Sequence, residues 1–219
     1  MNIKVFLNSI RKEEDINLTA KQRVVQVLAF FALGILLGLI AKSIDGISSS
    51  SRYGYLISIF SNICSRIGIW VLIATIIAVF SRTPKTAAIN VFVFFIAMLM
   101  AYYIYSMKLF GFFPRYYFLR WGRIALVSPL AAYIVWYSRG EGWLAALSAA
   151  LPIGLLASQG YRFIRNLAAI PGFDFFAAIT LYFILARKKY QPFRVLPLAL
   201  VFMFLLRKFE LLAYFIGDL

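Results

Sequence analysis

The feature that most limits this chain is a series of long apolar runs. Val24 to Ala41 spans 18 residues without a charge. As a helix it would be about 27 Å long, close to the hydrocarbon thickness of a bilayer. Comparable runs follow at Ile67 to Phe80, Pro84 to Met107, Phe118 to Tyr137, Trp143 to Tyr161 and Leu167 to Ala186. The chain is 63% hydrophobic and 14% charged, against about 45–50% and about 25% in an ordinary soluble domain. A soluble fold of this length has too little interior to hide that surface. The expected class is all-α: a polytopic integral membrane helix bundle, because a spanning backbone must satisfy its polar groups within each segment. No polar linker or repeat period divides the chain. Residues 24–219 therefore read as one transmembrane helical domain, preceded by a cytoplasmic N-terminal segment, 1–23.

Within that leader, Ile3, Phe6, Leu7 and Ile10 share one helix face, as in a short helix lying on the membrane surface. A mobile tail is the alternative. The leader is long, carries acids and has no small-x-small cleavage site, which argues against a cleaved signal peptide. Thr19 and Gln22 have capping-box spacing, which starts the first spanning helix near residue 20. Tyr53 to Ser65 reads as an interfacial helix or as an early part of the second span. Arg82 to Lys85 reads as a tight hairpin: Thr83 suits an N-cap, and Pro84 suits the first helical position, where its missing N–H costs nothing. Short loops rich in Lys and Arg prefer the cytoplasm, which places the N-terminus inside and the loop 42–66 outside. Ser128-Pro129 interrupts the fourth span, and Pro171-Gly172 splits the sixth.

The tail leaves the count at six or seven spans. Lys and Arg show no bias between the two sides with seven, and a cytoplasmic excess with six and the tail on the inner surface. Against that, a helix from Phe193 to Ile216 is long enough to cross if Arg207 and Lys208 face protein or snorkel. Seven is preferred.

The net charge of +15 comes from 23 basic and 8 acidic residues, placed mostly at the ends of apolar runs. That placement fits topogenic charge and attraction to anionic lipids of the bilayer, and gives no nucleic-acid face. Cys64 is the only cysteine and histidine is absent. No internal disulfide, thiol metal cluster, Ser–His or Cys–His pair can form, and no cofactor or metal is expected. The chain is read as not an enzyme.

Charges at membrane depth are costly and mark function by default. The candidates for ligand binding are Arg66, Arg120, Arg123, Arg162, Arg165 and Asp174. Arg120 and Arg123 share a helix face, as do Arg162 and Arg165, each pair being spaced i, i+3. They read as a basic pocket for phosphate or carboxylate, or as interfacial arginines on lipid phosphates. Asp174 reads as a substrate or proton site, as a cap on the helix after Pro171-Gly172, or as a partner of one arginine. Gly34 and Gly38 form a GxxxG pair for close helix packing, and Asn90 and Gln159 suit hydrogen bonds between helices. Tyr102, Tyr103, Tyr105, Tyr116, Tyr117 and Trp121 fit an aromatic belt at one interface.

The stretches "FSRTPKTAAINVFVFFIAMLMAYYIYS", "GFFPRYYFLRWG" and "SPLAAYIVWYSRGEGW" cover about the central third of the chain. In them it resembles an uncharacterised family of small multi-pass membrane proteins of Firmicutes-type bacteria. That resemblance implies the bacterial inner membrane and several spans, and no activity or site residues. In size and helix count the chain is also similar to the substrate-binding subunits of energy-coupling-factor vitamin transporters. Gly34 and Gly38 are only a loose analogue of their first-span AxxxA motif.

The leading expectation is a membrane-embedded binding or transport protein for a small anionic or amphipathic ligand, in the cell membrane with its N-terminus cytoplasmic. The alternative is a structural or regulatory subunit that contacts a partner membrane subunit through Gly34 and Gly38.

Overall fold

A computed structural model describes residues 3–12, 19–45 and 54–209, and all regular structure among them is helical. In order these are α1 (Ile3–Ile10), α2 (Ala20–Asp45), α3 (Gly54–Ser65), α4 (Ile67–Phe80), α5 (Pro84–Phe110) and α6 (Arg115–Trp136). A single 3₁₀ turn, Tyr137–Arg139, follows. The chain continues with α7 (Gly142–Gly160), α8 (Arg162–Asn166), α9 (Ala169–Leu185) and α10 (Gln191–Lys208). Four segments are long and apolar enough to cross a membrane: α2, α5, α6 with its 3₁₀ turn, and α7 continued into α8. The α3–α4 pair, bent by 63°, would be a fifth. Several apolar helices that could cross a bilayer are consistent with a multi-pass membrane protein.

The exterior agrees with that class. Val24, Leu28, Phe31 and Leu36 on α2, Leu126 and Leu130 on α6 and Phe204 on α10 are all exposed. A water-facing surface rarely gathers so many large apolar side chains on successive helices. Inside, α5 packs against α2, α4 and α6, with Ala87, Phe94 and Ala97 fully buried, and α7 packs against α9 and α10, with Ala146, Ala149 and Leu156 fully buried.

Glycines set the closest approaches. Gly34 and Gly38 on α2 are buried against the α5 backbone at Phe94 and Met98, where a Cβ would overlap carbonyl oxygens. The GxxxG face is thus filled from within the chain. This corrects its assignment to a partner subunit, since α5 already occupies that surface. Gly154 on α7 likewise admits Ala199 and Phe202 of α10.

The hairpin forms by local chemistry. Helix α4 stops at Ser81, and Thr83 caps α5 with a reciprocal box: the Thr86 N–H donates to the Thr83 hydroxyl (3.2 Å), and the Thr83 N–H donates to the Thr86 hydroxyl (3.0 Å). Asn90, 2% exposed, donates to the Ser81 hydroxyl, and the Trp136 indole donates to the Ser81 carbonyl. At the same end α1 docks onto the bundle. The Glu141 N–H bonds the Ile10 carbonyl, and Arg11 donates to the carbonyls of Trp136 and Val79 at the ends of α6 and α4. Its guanidinium also lies 4.0 Å from the Trp136 ring centroid. The leader helix therefore caps helix ends as well as covering surface.

Two expected breaks are absent. α6 continues through Pro129, with Ser128 satisfied by the Ala125 carbonyl (2.8 Å). α9 is continuous from Ala169, and Pro171 falls in its first turn, where no N–H bond is lost. The real break lies at Arg66, between α3 and α4. Of the expected outer loop 42–66, residues 42–45 belong to α2 and 54–65 to α3, and 46–53 lie outside the described residues. The expected tail helix is α10 as far as Lys208, and 210–219 also lie outside them.

Candidate functional site

Two polar sites are built on either side of the α3–α4 break, one towards α2 and α5 and one towards α7 and α9. The first is a cavity of about 480 Å³ between α2, the break, α5 and the start of α6. Its walls are aromatic: Trp70, Tyr102, Tyr103, Phe110, Tyr117 and Trp121. Tyr103 is 3% exposed and meets Phe118 edge-on, ring centroids 5.3 Å apart, so the collar is fixed by packing. Gly111, with φ at 72°, ends α5 in the left-handed conformation that glycine adopts freely, and lets the chain turn directly into α6.

Lys42 supplies the polar floor. Lysines are seldom so buried without a partner, and this one is 6% exposed. Its Nζ donates to Asp45 Oδ2 at 2.7 Å and lies 4.7 Å from the Phe110 ring centroid and 5.1 Å from that of Tyr102. The Tyr102 hydroxyl donates to the same carboxylate oxygen at 3.2 Å. An ammonium group has three donors. Asp45 is the one hydrogen-bond acceptor of Lys42 among the described residues. A cation held by one acceptor and two ring faces keeps capacity for an anionic group, while the rings supply apolar walls.

The second site is an ion pair in the bundle. Arg66, at the α3–α4 break, reaches Gln159 Oε1 on α7 at 2.8 Å and Asp174 Oδ2 on α9 at 3.5 Å. Asp174 is 1% exposed. Missing side chains make room for it: a Cβ on Gly68 would overlap its carboxylate, and one on Gly160 would overlap the neighbouring α9 backbone. The two sites share the break. Cys64 and Ser65 line the cavity, and the Trp70 indole, also in the wall, donates to the Cys64 carbonyl at 2.8 Å.

Of the residues singled out in the sequence, Arg66, Gln159 and Asp174 come together. Arg120, Arg123 and Arg162 do not join them: Arg120 stacks on Tyr116 at 4.5 Å, and Arg123 and Arg162 are partly or fully exposed on α6 and α8. The Arg165 side chain lies outside the described residues. Asp174 sits in the second turn of α9, so it is a pairing residue and not a cap. Of the belt aromatics, Tyr102, Tyr103, Tyr117 and Trp121 line the cavity. Sequence reasoning missed Lys42 and Asp45, reading the first as a terminal charge. Their i, i+3 spacing on one helix was the available signal. Among the described residues no group of three His, Cys, Asp or Glu side chains could hold a metal.

Fold and site together define an all-α protein with apolar helices able to cross a membrane and an aromatic cavity with a lysine–aspartate floor. Comparison with protein-family models, with curated proteins and with solved structures finds no match.

Proposed function

We propose that this chain is a multi-pass membrane protein that binds, and in transport would carry, a small amphipathic ligand with an anionic head. The carrying observation is Lys42: a buried cation, set in a ring of aromatics, on the wall of an open cavity. The anionic head would pair with Lys42, with Asp45 and Tyr102 fixing the ammonium group, and the apolar part would lie on the aromatic walls.

The reading includes seven spans, a cytoplasmic N-terminus and the cell membrane of a bacterium. What supports a seventh is the reach of α10. Its first residue, Gln191, bonds the Gly142 carbonyl at one end of α7, and Arg207 lies 3.3 Å from the Tyr161 ring centroid at the other. α10 thus covers the depth that α7 covers. In this topology the cavity opens to the outer side, and Arg120, Arg123 and Arg162 meet phosphates of anionic lipids.

The test is binding in bilayer discs, read by the fluorescence of the wall tryptophans Trp70 and Trp121. An alkyl phosphate is compared with the alcohol and the ammonium of the same chain length. The phosphate should bind best, and Lys42→Met should remove that preference by about tenfold or more, the scale of one charge-assisted hydrogen bond. Equal binding of the three, or a phosphate preference unchanged in Lys42→Met, would refute the proposal.

A further inference from the structure

The cavity and the buried ion pair meet in three consecutive residues. Cys64 and Ser65 face the cavity, and Arg66 faces Asp174. The chain changes direction here by 63°. Arg66 stands at the N-cap of α4, where a guanidinium, which has no acceptor, cannot cap the helix. Instead it ties the break to α7 and α9. The tie is asymmetric. The Gln159 contact is a short hydrogen bond, whereas Asp174 Oδ2 is buried, lies 3.5 Å away and accepts no hydrogen bond. That oxygen is held by charge alone, so a proton placed on it cancels what holds Arg66 to α9.

Few other charges face this carboxyl. Neither α4 nor α7 has a titratable side chain. α3 carries only Tyr55 and Cys64, α9 itself adds only Tyr182, and α8 carries Arg162 and Arg165. Arg66 is the only ion-pair partner of Asp174 among the described residues.

We propose that Asp174 is a coupling-proton site. A proton from solution adds to Oδ2 and converts the carboxylate to a neutral acid. Arg66 keeps Gln159 but releases α9, and α3 swings about the break, carrying the Cys64–Ser65 wall of the cavity with it. Proton binding and ligand binding would then be linked through one hinge, each shifting the other by the same factor. The functional consequence rests on the cavity being the ligand site, but the hinge can be tested without any ligand.

Cys64 is the only thiol in the chain and lies half-buried in the moving wall. The full-length protein in bilayer discs is labelled with an uncharged maleimide between about pH 8 and about pH 5, a window in which an exposed aspartate stays ionised and a buried one can titrate. Rates are divided by those of Asp174→Asn at each pH, which removes the thiol's own ionisation. The wild-type ratio should lie at least about fivefold below one at the alkaline end and rise to one at the acidic end. Arg66→Gln, which also breaks the pair, should label at the Asp174→Asn rate at alkaline pH, and serves alone if the first variant does not fold. A wild-type ratio that is flat across the range overturns the proposal. So does Arg66→Gln labelling no faster than wild type at alkaline pH.

Discussion

Removing Arg66 should cost more than removing the charge on Asp174. At 3.5 Å and an effective dielectric of about 20, the gross attraction of the pair is about 5 kcal/mol. The Arg66 side chain is 30% exposed, so solvent screens part of this and a coupling of about 2–3 kcal/mol remains. The two ends differ. In Arg66→Ala, Asp174 is left as a buried charge with no partner, a change that costs about 3–5 kcal/mol. In Asp174→Asn, Arg66 keeps Gln159 and its access to water, and the loss should be about 1–2 kcal/mol. With Asp174→Asn in place, Arg66→Ala should cost only about 1 kcal/mol more, for the Gln159 bond. The assay is reversible unfolding in mixed micelles, run as a double-mutant cycle. Single effects that add within about 0.5 kcal/mol would show that the residues do not interact. Asp174→Asn costing more than Arg66→Ala would refute the asymmetry.

Other substitutions follow from named contacts. Gly38→Leu places a side chain against the Met98 backbone, which cannot yield. It should push α2 off α5 and lower stability by at least about 1–3 kcal/mol in the same unfolding assay. Thr83→Ala removes the capping hydroxyl of α5 and should cost about 1 kcal/mol, with Thr83→Ser close to wild type. Arg11→Ala loses the bonds to the Trp136 and Val79 carbonyls and the stacking on Trp136. It should release α1, seen as faster proteolysis of the leader with the rest of the chain still protected.

How much was legible in the sequence depended on distance along the chain. The Thr83–Pro84 hairpin could be read because capping involves residues three apart and little else. The 24–41 run could be read as an apolar helix because no charge interrupts it, although α2 extends beyond it to Ala20 and Asp45. Gly34 and Gly38 marked a close approach correctly, but which helix approaches depends on the packing of α5, more than fifty residues on. Pro171 looked like a break because proline usually is one, yet a proline in a first turn loses nothing, and only the α9 start at Ala169 decides between the two. The pair of Arg66 with Asp174 joins residues more than a hundred apart, and no local pattern encodes it. Lys42 ends an apolar run, as a topogenic charge would. Its burial comes from Tyr102 and Phe110 of α5, about sixty residues on, which no local pattern around Lys42 announces.

The central claim is that the outer face of this bundle lies against hydrocarbon. It is tested most directly by hydroxyl-radical footprinting of the protein in bilayer discs. Leu28, Phe31 and Leu36 project from α2 without protein cover, and Phe112 and Tyr116 lie exposed at the turn between α5 and α6. The account expects Phe112 and Tyr116 to be oxidised and the α2 residues to stay unmodified, shielded by acyl chains that exclude water. Oxidation of Leu28, Phe31 and Leu36 at the rates of freely solvated side chains would contradict it.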